Sequence, residues 1–320
     1  MLAGVNLDGW RDLVVASRAA SWEAQLALEA SATTAADGTQ RVRLLPMRLG
    51  PTRVVRPFTV GLRAPESANR ELLTPVEAVL TALGASAAAT AATALALQGA
   101  QPQRISVRAY ADRDGGLGYE LDLSGDLTAE QILIVVGQVQ AYSVVHRTLA
   151  EGSPPRVLAA SADGRHLAIP PGGDGARDDR THEVRVEWEA GAFSVATAGQ
   201  AGVEIDQPKQ LFGADRAPSP EDYLLAALAA EALQWLSPGP AEIHVSARRD
   251  LRGELGLDDA RVALRDILIQ CLLPGHGTDD DAEPTRLAAW SAGGSAVDLV
   301  RNPRTITVTI RPKPETPHAP

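Results

Sequence analysis

Apolar and polar positions along the chain fall into two successive sets that repeat one order of elements. In the first set, strand-like runs cover Trp22–Thr34, Arg41–Leu49 and Pro57–Leu62, and a proline-opened apolar run predicts a long helix over Pro75–Gln98. Strands over Ile105–Ala111 and Tyr119–Leu123 and a second helix over Thr128–Leu149 follow. The second set predicts strands over Glu183–Trp188, Phe193–Ala198 and Gly202–Asp206, then a helix over Pro220–Leu236. Strands over Glu242–Ala247 and Arg261–Leu272, a helix over Pro284–Val300 and a closing strand over Arg304–Ile310 complete it. Thr74–Ser86 aligns with Ser219–Glu231 without a gap. Thr74 or Ser219 is the N-cap, proline takes the first helical position, and Glu77 or Asp222 stands three residues after the cap. Beyond the first turn both helices are apolar on all sides, which predicts that they run through a core.

Between the two sets, the stretch from Pro170 to Arg180 (PPGGDGARDDR) lacks apolar periodicity and is rich in glycine, proline and charge, as a surface linker is. The expected organisation is a first domain at 1–169 with an N-terminal helix, a linker at 170–181, a second domain at 182–311 and a proline-rich disordered tail at 312–320. A chain of 320 residues is long enough for two domains that each bury a core.

A formal charge of -10 argues against a nucleic-acid partner. The single cysteine, Cys271, excludes an intrachain disulfide and any two-thiolate metal site, and it suits a reducing compartment. It falls in a strand-like run, where a buried, inert thiol is expected. The N-terminal segment has no secretory apolar core, so a mature cytoplasmic protein is expected. Ala78 to Ala100 carries no charge over a length that could cross a bilayer, but it is mostly Ala, Thr, Gly and Ser. Those residues supply little transfer energy, and a buried helix with no membrane partner is the expectation. The histidines show no ligand spacing, so neither a metal nor a cofactor is implied.

The phrases LFGADRAPSPEDYLLAALAAE and LTPVEAVLTALGAS resemble the signature of the OsmC/Ohr family, a glycine-containing turn followed by P-x-P-x-E-Y-L-L-A-A-L-A-x-C. The passage Arg249–Gly256 resembles the D-x-R-G hairpin of some members, and Asn302-Pro303 precedes the last strand as in the family. The resemblance spans most residues from about 20 to 310. It implies an α+β fold of two tandem OsmC-like domains, each an antiparallel sheet wrapped around two central helices. Together they would form an intramolecular pseudo-dimer, either monomeric or weakly homodimeric, with pockets between the halves. Where the family carries its peroxidatic cysteine, this chain has Ser86 and Glu231. Where it carries the second cysteine, the matching segments begin with Ser143 and Ser295. Thiol-peroxidase chemistry needs an activated thiolate and a resolving thiol, so it is not expected here.

The expected function is binding of a small apolar or aromatic molecule in the cavity between the halves, with Ser86, Ser143, Ser295, Trp235 and Trp290 lining it. Core packing is the alternative for the two tryptophans. Non-redox acid–base chemistry of an isomerase, cyclase or hydrolase type is a possible addition; a catalytically silent binding or scaffold protein is the rival. Glu231, on an apolar helix stripe, is a candidate acid or base, or else the partner of an arginine from the other half. Glu77 and Asp222 match the family glutamate that tunes the cysteine, yet capping alone explains them. His146 is a candidate base beside Ser143 or a cap near a helix end. For the family arginine, Arg41, Arg43, Arg48, Arg53, Arg56 and Arg185 remain open.

Overall fold

The computed structural model describes residues 3–113, 115–161, 164–170, 180–236, 241–257, 259–273 and 282–311. Residues 171–179 of the predicted linker, and the whole of the predicted tail, lie outside the described residues.

Two apolar helices set the architecture. Helix α2 (Pro75–Leu97) opens with a complete capping box: the Thr74 hydroxyl accepts from Glu77 N, and the Glu77 carboxylate accepts from Thr74 N at 2.7 Å. Helix α5 (Pro220–Leu236) opens in the same way, Asp222 N donating to the Ser219 hydroxyl and Ser219 N to the Asp222 carboxylate at 2.7 Å. The two helices pack against each other, and each is covered on its far side by a sheet. Neither has a polar face because most of each is enclosed in the core. Helix α2 is the one helix among the described residues long and apolar enough to cross a bilayer, and most of it is enclosed.

The sheets are built by both halves together. The first runs β4 (Thr52–Val54), β3 (Met47–Leu49), β1 (Gln25–Thr34), β13 (Glu242–Asp250), β14 (Arg265–Leu273), β8 (Arg156–Ser161), β9 (His166–Leu167). Strands β2 (Gln40–Leu44) and β5 (Thr59–Leu62) extend it beside β1. The second runs β12 (Ala201–Ile205), β11 (Phe193–Ala198), β10 (His182–Ala190), β6 (Pro102–Ala111), β7 (Leu117–Gly125), β15 (Ile306–Ile310). The first sheet covers α5 and the second covers α2.

Four strand pairs cross between halves: β1 with β13, β8 with β14, β6 with β10 and β7 with β15. The expected antiparallel sheets are therefore mixed, since β8 with β14 and β15 with β7 are parallel. The reason is edge availability. Each strand that follows the second helix of its half meets the free edge of a strand from the other half and adds there. The close approach of α2 to the second sheet rests on Gly84, where a Cβ would stand 2.7 Å from Val186 Cγ2.

Four predicted elements change, the first being the strand expected over Arg41–Leu49, which is two strands, β2 and β3, that pair separately with β1. The helix expected over Thr128–Leu149 is α3 (Ala129–Tyr142) and α4 (Val144–Glu151), broken at Ser143, which is extended at φ -71° and ψ 117°. The helix expected over Pro284–Val300 is α7 (Ala282–Gly293) and α8 (Ser295–Arg301), broken at Gly294. Each break leaves the backbone N–H groups of a new helix start inside the core. The first strand begins at Gln25, after a helix α1 (Leu7–Ala19) and a short 3₁₀ turn at Ser21–Ala24; a one-turn helix α6 (Leu251–Glu254) follows β13.

Candidate functional site

Each core helix presents one residue to the broken helix of its own half. Ser86 and Glu231 stand eleven residues after Pro75 and Pro220, so they occupy the same helical register. Ser86 Oγ lies 2.9 Å from Ser143 Oγ and accepts from Val145 N at 3.3 Å. Glu231 accepts from Ala296 N at 2.7 Å, from Val297 N at 3.0 Å and from the Trp290 indole at 2.9 Å. Both residues thus receive the orphan donors of a helix start.

The second corner differs from the sequence alignment by one position. The residue at the break, equivalent to Ser143, is Gly294; Ser295 is half-buried in the first turn of α8. Glycine is required there for steric reasons. A Cβ on Gly294 would fall 2.7 Å from Glu231 Oε2 and 2.6 Å from Trp290 Cδ1, so the long carboxylate fills the space that Ser143 occupies in the first corner. Burial pushes the Glu231 pKa up, against the pull of its hydrogen-bond donors.

The other expected residues serve the frame. Glu77 caps α2 and lies 3.7 Å from Arg63. Asp222 caps α5 and takes the guanidinium of Arg56, which also donates to Asp215 at 2.8 Å and to Ala217 O at 3.0 Å. Of the six arginines left open by sequence, Arg56 is the buried one. His146 is buried with Nδ1 3.0 Å from the Tyr119 hydroxyl, and burial depresses its pKa to about 4. Trp290 is fully buried and holds Glu231; Trp235 is half-buried against the core. Cys271 is buried in β14, where burial lifts its thiol to about 12.

A cavity of about 590 Å³ opens beside Ser86. Its floor is one stripe of α2, Ser86, Ala89, Thr90, Thr93, Ala94 and Leu97, at the i, i+3, i+4 spacing of a single helix face. Helix α1 forms the opposite wall through Leu7, Trp10, Leu13 and Val14, and Phe212 and Tyr142 add aromatic surface. The second half contributes a polar wall. The buried Arg249 guanidinium donates to Glu221 at 2.7 Å and to Glu254. Among the residues expected at the site, Ser86 lines this cavity and Ser143 touches it through Ser86; Glu231, His146, Asp222, Glu77, Ser295, Trp235 and Trp290 do not line it.

Sequence reading passed over Trp10, Glu221, Arg249 and Glu254. Glu221 adjoins Asp222 in the same motif, and Arg249 and Glu254 lie in the Arg249–Gly256 passage singled out above, so a signal for the region existed but not for its role. No protein-family model matches the chain, and no curated protein matches it in sequence.

Proposed function

We propose that this chain is an OsmC-like tandem protein that has left thiol chemistry and binds a small apolar or aromatic molecule between its halves. The observation that carries this reading is the cavity beside Ser86, walled by α1, α2 and the β13–α6 region and mostly apolar in its lining. Serines at Ser86 and Ser143 supply hydroxyls that hold the helix start but no thiolate, and Cys271 is enclosed in a strand. The position of Glu231, away from the cavity with both oxygens engaged, favours binding without turnover by that residue. In this reading the protein works in the cytoplasm as an intramolecular pseudo-dimer.

Titration with N-phenylnaphthylamine, an uncharged dye that brightens in apolar surroundings, tests it. Saturable binding is expected in the native protein, and it should be lost in Ala89→Phe, where the ring would fill the cavity floor. Absence of saturable binding, or equal binding by the folded Ala89→Phe variant, would overturn the proposal.

A further inference from the structure

The cavity has a direction. The α2 stripe from Ser86 to Leu97 spans about 16 Å of helix; its first residue, Ser86, is 6% exposed and its last, Leu97, is 67% exposed. Ser86 therefore marks the closed end and Leu97 the mouth. Helix α1 buries only Ser17 completely; its apolar residues Leu7, Trp10, Leu13 and Val14 are half-buried and border this volume. The space they face is long and apolar.

The polar wall has a sign. Arg249 is one cation between two carboxylates, Glu221 and Glu254, so its guanidinium charge is already matched and the trio carries a net charge of about -1. The Glu221 side chain is 2% exposed and that of Glu254 is 23% exposed, which makes Glu254 the carboxylate a ligand would meet. Tyr142, next to Ser143, approaches Gly256, where a Cβ would lie 3.4 Å from the Tyr142 hydroxyl. This approach brings the Glu254–Gly256 turn beside Tyr142, the last residue of α3 before Ser143. The other charged lining residue, Arg11, is solvated and paired with Asp8.

Resting on the reading of this cavity as a ligand site, we propose that it takes an elongated amphiphile whose apolar body lies along α2 and whose head is a protonated amine held at Glu254. A carboxylate head would meet unmatched negative charge in a partly desolvated site. A hydroxyl could donate to Glu254 without the charge attraction and so ranks between the two.

Decylamine, decanol and decanoate share one body and differ in the head. Calorimetric titration at neutral pH should give decylamine the tightest binding, decanol the next, and decanoate weaker than decylamine by about tenfold or more. Glu254→Gln, with its fold checked by circular dichroism, should bring decylamine and decanoate close to equal, and Ala89→Phe should abolish the binding of decylamine. Decanoate binding as tightly as decylamine, or an amine preference that survives Glu254→Gln, would overturn the proposal. Failure of all three ligands while N-phenylnaphthylamine still binds would overturn this proposal alone, whereas failure of all four would overturn the ligand-site reading beneath it.

Discussion

The steric exchange between Glu231 and Gly294 can be measured as a coupling free energy. Glu231→Ser alone shortens the side chain and withdraws the acceptor from Trp290 Nε1 and from at least one of Ala296 N and Val297 N. Two buried donors left without partners at about 1 kcal/mol each or more give a loss of about 2–4 kcal/mol. Gly294→Ser alone places a Cβ 2.7 Å from Glu231 Oε2, and relieving that overlap costs about 1–3 kcal/mol. Gly294 has φ -63° and ψ 135°, so a side chain brings no backbone strain and the penalty is steric. The double variant rebuilds the first corner, in which two serine hydroxyls meet at 2.9 Å and one accepts from the helix start. It should therefore be more stable than the sum of the single changes by about 1–2 kcal/mol, while staying below the wild type because Trp290 remains without its acceptor and its Cδ1 still lies 2.6 Å from the new Cβ. Urea unfolding followed by circular dichroism at neutral pH reads all four proteins, provided the slope with denaturant is unchanged. Additivity within about 0.5 kcal/mol would show that the two corners are not interchangeable and that the packing account is wrong.

Three further outcomes follow from burial. Glu231 has its folded pKa raised above the unfolded value, so it binds more protons in the folded state; the difference in stability between wild type and Glu231→Gln should shift in favour of the wild type as pH falls from 7 toward the ordinary glutamate range, and a shift in the other direction would show that its donors outweigh burial. His146 behaves in the opposite sense: with a folded pKa of about 4 against an ordinary 6.5, its contribution is intact above pH 6.5 and is lost between 6.5 and 4, and proton-detected titration should find the ring neutral at pH 6. Cys271, enclosed and with its thiol lifted to about 12, should resist iodoacetamide in the native protein and react at the rate of a free thiol once unfolded; rapid native labelling would contradict its placement in β14.

What the sequence made legible was local. Capping boxes at Thr74 and Ser219, proline at the first helical position and unbroken apolar runs identify α2 and α5 within a residue or two, because cap chemistry and periodicity are properties of neighbouring residues. Ser86 and Ser143, both expected at the cavity through motif resemblance, meet each other. Strand partners were not legible. Alternation tells which face of β6 is buried but not that its neighbour is β10 from the other half, since that choice depends on which edge is free after the chain has folded. The breaks at Ser143 and Gly294 were hidden because apolar periodicity continues through both positions. Glu221 was missed beside Asp222 because their backbone settings are nearly alike. One residue of helix rotation sends Asp222 to the cap and Arg56 and sends Glu221 to Arg249 and the cavity.

Two corresponding corners within one chain can differ in content, as those of identical subunits cannot. In one corner, a glutamate satisfies the helix start of α8, recruits the Trp290 indole and leaves room at Gly294 only for hydrogen. That corner is filled by its own side chains. In the other, two short hydroxyls hold α4 and leave Ser86 bordering a volume that helix α1 walls on its far side. Helix α1 occurs once in the described chain, whereas the sheet and core-helix pattern occurs twice, so the apolar wall it supplies has no counterpart beside Glu231. The asymmetry of the corners and the single copy of α1 thus point the same way: one corner is closed by its own side chains, and the other borders an open volume.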